Sequence, residues 1–358
     1  MIFVIADDIT GAAEMAGLAH CYGLDTHLML DLGQECPQGE VVVVATDTRS
    51  MTRQEAVDHT GDVVRRLLQW CPPSEEKSWT LFKKTDSALR GHPIAEIAAI
   101  LSLTHYDKAV FLPANPSKRR VIAQGVYYVD GIPLAETDFA FDPEFPAMTS
   151  SMTARFPDAE ERGIAMPDAV NAADIMSVVE GCDATTLLAG AADLFEALLI
   201  SKGHHRCIKQ ASLSFNTIDA IIVCGSTQSK RLHISAQECG MPKEVYDGDG
   251  DAAAWEKTAQ DVYRSGQSVM LTVPHRHLTG KEVAVRLRET MAHAVASLVA
   301  VRLPRQLVIE GGATAFCCLN ALSWREFAVA DAYAPGVIRM VTPQKVDIIL
   351  KPGSYPWP

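Results

Sequence analysis

Several features that would settle the class of this chain at once are missing from it. No apolar run approaches the ~18 residues of a membrane-spanning helix, so no membrane partner is expected. The chain reaches Asp7-Asp8 after one short apolar segment. An export signal needs a basic start and a longer apolar run, so a soluble, cytoplasmic protein is expected. Positive charge is in deficit, with 32 lysines and arginines against 44 aspartates and glutamates and a net charge of -12. A general nucleic-acid binder needs a basic surface, so nucleic acid is not expected as a partner. A local basic pocket for a small anion remains compatible with this balance. The nine cysteines are odd in number and form no Cys-x-x-Cys. They read as reduced, small apolar residues, and no metal site is expected, since even His204-His205 with Cys207 lacks ligand spacing. There is no Gly-x-x-x-x-Gly-Lys-Ser/Thr loop, which excludes a Walker-type site. There is no Gly-x-Gly-x-x-Gly fingerprint either, which counts against a nicotinamide-dependent dehydrogenase of a sugar acid.

What is present is a chain of 358 residues, 48% hydrophobic, long enough for about two domains. Short apolar runs alternate with helical patterns, the signature of parallel sheets with helices on their faces. The expected class is α/β, with two three-layer domains, mostly parallel sheets and an interdomain cleft. Strands are expected at 2–6, 26–30, 41–45, 79–84, 108–113 and 185–189 in the first half. The second half offers 219–224, 267–273, 306–310 and 346–351. Thr52 with Glu55 has capping-box spacing and opens a helix over 52–69. Thr279 with Glu282 opens another, ending near Leu298. A polar linker is expected near 204–217, which gives domains of 1–207 and 208–358. The stretch 114–165 is proline-rich and reads as a long irregular segment of the kind usually tied to function.

In an open parallel sheet, ligands bind outside the carboxyl ends of the strands. Strand 2–6 is followed by Asp7-Asp8-Ile9-Thr10-Gly11, and strand 41–45 by Thr46-Asp47-Thr48-Arg49-Ser50. Strand 79–84 ends in Lys84-Thr85-Asp86-Ser87-Ala88-Leu89-Arg90, and strand 108–112 leads to Asn115, Lys118, Arg119 and Arg120. Aspartates here also serve as turn formers and helix caps, but tight turns do not require arginine. Carboxylates, hydroxyls and cations delivered to one edge suit a polyhydroxylated anion. Thr10 is the expected cap of a helix starting near Gly11, where an anion is favoured. The second half places glycines at strand ends: Gly225-Ser226, Gly311-Gly312-Ala313-Thr314 and Lys351-Pro352-Gly353. Such turns expose backbone N–H groups to phosphate.

Together these segments resemble the four-carbon acid sugar kinase family. The resemblance runs over almost the whole chain. It is carried by Ala6-Asp7-Asp8-Ile9-Thr10-Gly11-Ala12, by Asp47-Thr48-Arg49-Ser50 and by Lys84-Thr85-Asp86-Ser87-Ala88-Leu89-Arg90-Gly91. Pro113-Ala114-Asn115-Pro116 with Arg120 and Gly125, then Asp142-Pro143, continue it. It implies an N-terminal domain for the acid sugar and a C-terminal domain for ATP. Asp8, Asp7, Lys84 and Asp86 are the implied catalytic residues, with Asp8, or its neighbour Asp7, as base. Arg49, Ser87, Arg90 and Arg120 are the implied substrate residues. Ser226, Gly311, Gly312, Ala313, Thr314 and Gly353 are the implied nucleotide residues. The implied reaction is in-line transfer of a phosphoryl group from ATP, with Mg²⁺, to a hydroxyl of a tetronate or oxo-tetronate across the cleft. Arg49, Lys84 and Arg90 would clamp the carboxylate or the moving charge. The expected partner is a small sugar acid, and a homodimer is the candidate assembly. The family pattern is altered at Arg119-Arg120, at Ser229-Lys230-Arg231, at Ala313 and at Pro352. The alternative is therefore a sugar-acid binding protein of the same fold that has lost phosphorylation.

Overall fold

The computed structural model describes residues 1–71, 79–142, 144–213, 218–225, 251–273, 281–353 and 357–358, and the backbone of 243–245. The chain divides into two compact units. The first comprises Met1–Thr26 and Asp31–Ile208, and the second comprises His27–Leu30 and Lys209–Pro358. Among the described residues no helix is long and apolar enough to cross a membrane.

In chain order the first part of the sequence forms β1 (Ile2–Ala6), α1 (Ile9–Cys21), β2 (Thr26–Met29), β3 (Val41–Ala45), α2 (Arg53–Trp70), β4 (Thr80–Lys84), α3 (Pro93–Leu103) and β5 (Lys108–Leu112). It continues with β6 (Arg120–Ala123), β7 (Val126–Val129), β8 (Ile132–Pro133), α4 (Met152–Arg155), β9 (Ile164–Ala165), α5 (Ala172–Glu180), β10 (Thr186–Gly190) and α6 (Ala192–Ser201). In the first unit, β3-β1-β4-β10-β5-β9 form a sheet in that order, and every neighbouring pair is parallel. β1 and β3 are buried along their whole length. This explains why they read as unbroken apolar runs: a parallel strand has both faces covered. The helices pack in two groups, α2 with α3, and α1 with α6 and α5. A sheet covered on both faces requires such a division.

The helix expected from Thr52 and Glu55 is present, and both bonds of its capping box are formed. The cap of α1 differs from expectation. Asp8, not Thr10, is its N-cap, because the Asp8 carboxylate reaches the Gly11 N–H while Thr10 lies inside the first turn and donates to Asp8. The proline-rich stretch is also more ordered than expected. β6-β7-β8 form a small antiparallel sheet, with Pro133 in the short edge strand β8, where a missing donor is tolerated.

The second part contains β11 (Ala220–Cys224), β12 (Lys243–Val245), α7 (Ala252–Arg264), β13 (Val269–Thr272), α8 (Lys281–Val301), β14 (Gln306–Glu310), α9 (Gly312–Ala321), β15 (Glu326–Ala334), β16 (Val337–Val341) and β17 (Asp347–Lys351). Thr279, the expected cap of α8, lies outside the described residues. In the second unit β12-β13-β11-β14-β17 are parallel, and β16, β15 and β2 follow antiparallel. The strand at 26–30, expected to belong to the first half, pairs instead with β15: Met29 with Glu326, Leu28 with Phe327 and His27 with Ala328. One core cluster of this unit joins Ile222, Met270, Val308, Tyr333, Val337 and Ile349.

Candidate active site

Four strands of the first sheet deliver polar side chains at their carboxyl ends. Arg49 follows β3, Asp7 and Asp8 follow β1, Lys84 to Arg90 end and follow β4, and Arg120 follows β5. Between β4 and β5 lies β10, whose tip is Gly190-Ala191-Ala192. Glycine is required at that tip, because a β-carbon at Gly190 would stand 2.0 Å from the Leu112 carbonyl oxygen.

Arg49 is the centre of the cluster. A short 3₁₀ turn, Thr48–Ser50, sets it after Asp47, which is held at φ 54°. Asp tolerates this left-handed conformation better than most residues. The Arg49 guanidinium donates through Nε to Asp7 Oδ2 at 2.9 Å and through Nη2 to Asp7 Oδ1 at 3.2 Å. Its Nη1 donates to Asp8 Oδ2 at 2.8 Å, and Nη2 lies 3.6 Å from Asp86 Oδ1. One planar cation thus ties together carboxylates from two strand tips. Burial alone would weaken Arg49's hold on its proton, but Asp7, Asp8 and Asp86 more than reverse this, and it stays charged.

The three aspartates differ in environment. Burial pushes the Asp7 carboxyl above its ordinary value, with Arg49 offsetting only part of this. Burial also opposes ionisation of Asp8, but Arg49, the Thr10 hydroxyl, Lys84 and the Gly11 N–H together hold it below the ordinary value. Asp86 is held well below the carboxylate range, because Arg49 and Arg90 outweigh its burial. Arg90 donates to it from Nε at 2.7 Å and Nη2 at 3.1 Å, and the Ala88 and Arg90 N–H groups donate to Oδ2, each at 3.2 Å. The Asp86 carboxylate therefore organises its own loop.

Lys84 is buried and donates to the Thr85 carbonyl at 2.7 Å, close to the start of α1. Glu14, one turn into α1, receives a bond from Lys118 and lies 3.9 Å from Lys84. Arg120 donates to the Ser87 hydroxyl, and Tyr127 beneath it donates to the Ser87 carbonyl at 2.6 Å. Asp142 stands 3.6 Å from Arg90, and Arg155 donates to the Leu89 carbonyl at 3.0 Å. Two buried groups at the strand tips, Thr85 Oγ1 and Asn115 Nδ2, have no hydrogen-bond partner among the described residues. Unmet polar groups of this kind draw a water or a ligand hydroxyl.

Asp7, Asp8, Arg49, Lys84, Asp86, Ser87, Arg90 and Arg120 are thus brought together. Sequence reasoning missed Glu14, Tyr127 and Arg155. Glu14 had a signal, since it lies one helical turn beyond Gly11 and shares its face. Arg155 had none, because only the fold returns α4 to the Asp86–Arg90 loop.

In the second unit, Gly311 sits between β14 and α9 at φ 104°, a conformation that other residues rarely adopt. Its N–H donates to the Lys351 carbonyl at 2.9 Å. Gly312 opens α9, Ala313 is exposed, and Thr314 packs against Gly225. Gly353 lies in the turn after β17, and Ser226 falls outside the described residues. Beneath the turn is a buried pair that the sequence did not single out. Lys351 Nζ is 3.7 Å from Glu310 Oε1, and the Trp357 indole N–H donates to Glu310 Oε2 at 3.1 Å. Burial lowers the Lys351 pKa, with Glu310 partly opposing. A strand-to-helix turn of this kind, at a helix N-terminus, suits a phosphate group.

A parallel sheet carrying a carboxylate–arginine cluster at its carboxyl edge, followed by an α/β unit with a glycine turn at a helix start, defines a two-unit α/β protein. Residues 2–157 match the family described as the sugar-binding N-terminal domain. The chain is 27% identical over 312 residues to a D-threonate kinase of Salmonella typhimurium, covering 77% of this chain and 70% of that protein. It is 25% identical to a 3-oxo-tetronate kinase of Cupriavidus necator, covering 99% and 94%. A crystal structure of a Salmonella typhimurium LT2 protein shares the fold, with a TM-score of 0.78 at 19% identity over 99% of this chain and 96% of that one. Residues 2–157 thus match a sugar-binding domain family, and the chain over almost its whole length is similar to kinases of four-carbon acid sugars.

Proposed function

We propose that the protein phosphorylates a hydroxyl of a four-carbon sugar acid, a threonate, an erythronate or an oxo-tetronate, with ATP and Mg²⁺. The observation that carries this reading is the Arg49-centred cluster at adjacent strand tips, which combines a reachable carboxylate with several cations in one place. The names of the relatives support it, since the similar proteins are threonate and 3-oxo-tetronate kinases. The family pattern is altered in the second unit, but full-length similarity to kinases favours an active enzyme over a binding protein that has lost phosphorylation.

Asp8 is the proposed base. Reach supports it over Asp7, because the Asp8 side chain is 14% exposed and that of Asp7 only 4%. A base must first lie within hydrogen-bond distance of the proton it accepts. The low pKa of Asp8 is compatible with this role, since phosphoryl transfer depends on positioning and charge neutralisation more than on a strong base. Lys84, beside Asp8, would steady the charge that develops. Asp86 is proposed as a positioning residue, because its oxygens are engaged by its own loop. Gly311, Gly312, Ala313, Thr314, Gly353 and Ser226 would hold the nucleotide, which supplies the phosphoryl group.

The test is an ATP-consumption screen against stereoisomeric tetronates and 3-oxo-tetronate, with Asp8→Asn alongside. Turnover with at least one acid is expected, and Asp8→Asn should lower kcat by about 100-fold or more with KM little changed. Binding of an acid without ATP consumption would favour the binding-protein reading instead. Near-normal turnover in Asp8→Asn would remove Asp8 from its role.

A further inference from the structure

Resting on the reading that the ligand is a sugar acid, we propose that Arg155, acting with Arg120, is the receptor for its carboxylate. The argument begins with the charge pairing around the strand tips. Arg49 is engaged by Asp7 and Asp8, and Arg90 by Asp86 with Asp142 close by. Lys118 is bonded to Glu14, which Lys84 also approaches. These cations already have anionic neighbours, so a ligand carboxylate brought to them would have to compete with a built-in one.

Arg120 and Arg155 differ. Among the described residues, neither has a carboxylate within ion-pair distance. Arg120 donates to the Ser87 hydroxyl and stacks 5.5 Å from the Phe139 ring centre. Arg155 donates to the Leu89 carbonyl at 3.0 Å and lies 6.0 Å from the Phe156 ring centre. Both are half-buried. Both are anchored on the Asp86–Arg90 loop, at residues two apart in sequence, so the two guanidiniums converge on one short segment. Leu89 itself is held at φ 63°, a conformation disfavoured for a branched side chain and maintained here by the loop. Burial lowers the Arg155 pKa, and the nearby Asp86 and Asp142 offset this only in part. Its charge is therefore undercompensated.

A half-buried guanidinium without a carboxylate is costly until an anion meets it. Its planar fork suits a carboxylate, which it can hold by two parallel bonds. Anchoring through one nitrogen leaves the remaining donors of each side chain for a ligand. A carboxylate seated there would lie on the Ser87–Leu89 side of the cluster. Asp8 stands on the α1 side, where it could meet a hydroxyl farther along the same short molecule. The arrangement would thus orient the acid end to end, selecting acids over neutral polyols of the same length.

The experiment measures kcat and KM for the preferred tetronate, for its amide, in which the carboxylate is replaced by CONH₂, and for ATP. The proteins are the full-length chain, Arg155→Gln, Arg155→Lys, Arg120→Gln and, as a surface control, Arg65→Gln. The expected result is a rise in acid KM of about 10- to 100-fold in Arg155→Gln and in Arg120→Gln, with kcat and ATP KM little changed. The preference for acid over amide should fall in parallel. Arg155→Lys should recover part of the acid affinity, and it decides the matter if Arg155→Gln melts at a lower temperature. An acid KM within about twofold of the parent in both Arg155 variants would overturn the proposal. So would an equal loss for acid and amide, or a rise in ATP KM alone, which would place a nucleotide phosphate at this arginine. A parent protein that turns over neither acid nor amide would defeat the functional reading, and the carboxylate site with it.

Discussion

Asp86 lies buried among Arg49, Arg90 and two backbone N–H groups, and that setting gives it a measurable consequence for stability. Folding depresses its pKa below the ordinary aspartate value of 3.8. A depressed carboxylate contributes stability that is complete above the unfolded value and is lost as pH falls through the folded one. Below about pH 4 the unfolded chain takes up a proton that folded Asp86 resists, so acid favours unfolding. Asp86→Asn should therefore lose about 3 kcal/mol at neutral pH, because Arg90 and Arg49 are left facing a neutral group. It should also flatten the acid limb of the stability profile. Denaturant unfolding of both proteins from pH 7 to pH 3 checks this. Parallel curves would mean that Asp86 is not the group that makes folding acid-sensitive. Residue types at these positions were readable from the sequence. Their division of labour was not, because it depends on which carboxylate each guanidinium reaches across strands.

At the scale of an element, the start of α1 concentrates the chemistry. Asp8 caps it through the Gly11 N–H at 2.7 Å, and Arg49 and Thr10 hold the same carboxylate. A β-carbon at Gly11 would stand 2.9 Å from Asp8 Oδ1 and 3.3 Å from Lys84 Nζ. Gly11→Ala thus sets two effects against each other. Alanine favours the helix by about 1 kcal/mol over glycine, while the new methyl group pushes on the cap and the lysine. Stability should change by less than about 1 kcal/mol, and kcat should fall about tenfold or more because Asp8 is displaced. Thermal melts with steady-state kinetics separate the two, and an unchanged kcat would show that Asp8 need not be held so closely. The helix itself was legible, as was the capping box of α2, since those signals lie within four residues. Choosing between Thr10 and Asp8 as the cap was not possible from residue types, because both are good capping residues and their order leaves the start open by two positions. The small sheet β6-β7-β8 was hidden for a related reason. Its strands are only two to four residues long and lie among prolines, so alternation never runs far enough to register.

At the scale of the whole molecule, the apolar runs foretold a parallel α/β architecture because buried parallel strands carry their signature in themselves. Partnership across the sequence carries no such mark. Thr-His-Leu-Met at β2 states only that a short strand forms, and nothing in it names Glu326–Ala328 as its partner some three hundred residues away. The consequence is that the second unit is not a simple C-terminal segment. Expressed alone, 209–358 lacks His27–Leu30. β15 would then lose the partner that accepts and donates along Glu326–Ala328 and would present those backbone groups to solvent. An exposed edge of this kind invites pairing with another chain. The fragment should therefore form aggregates, or melt well below the full chain, in size-exclusion chromatography and circular dichroism. Adding residues 26–30 ahead of it through a flexible linker should restore part of the loss, because the strand needs only proximity to find its register. If 209–358 alone is monomeric and melts with the full chain, the β2 strand contributes little. In that case the second unit draws its stability from the five parallel strands and their helices alone.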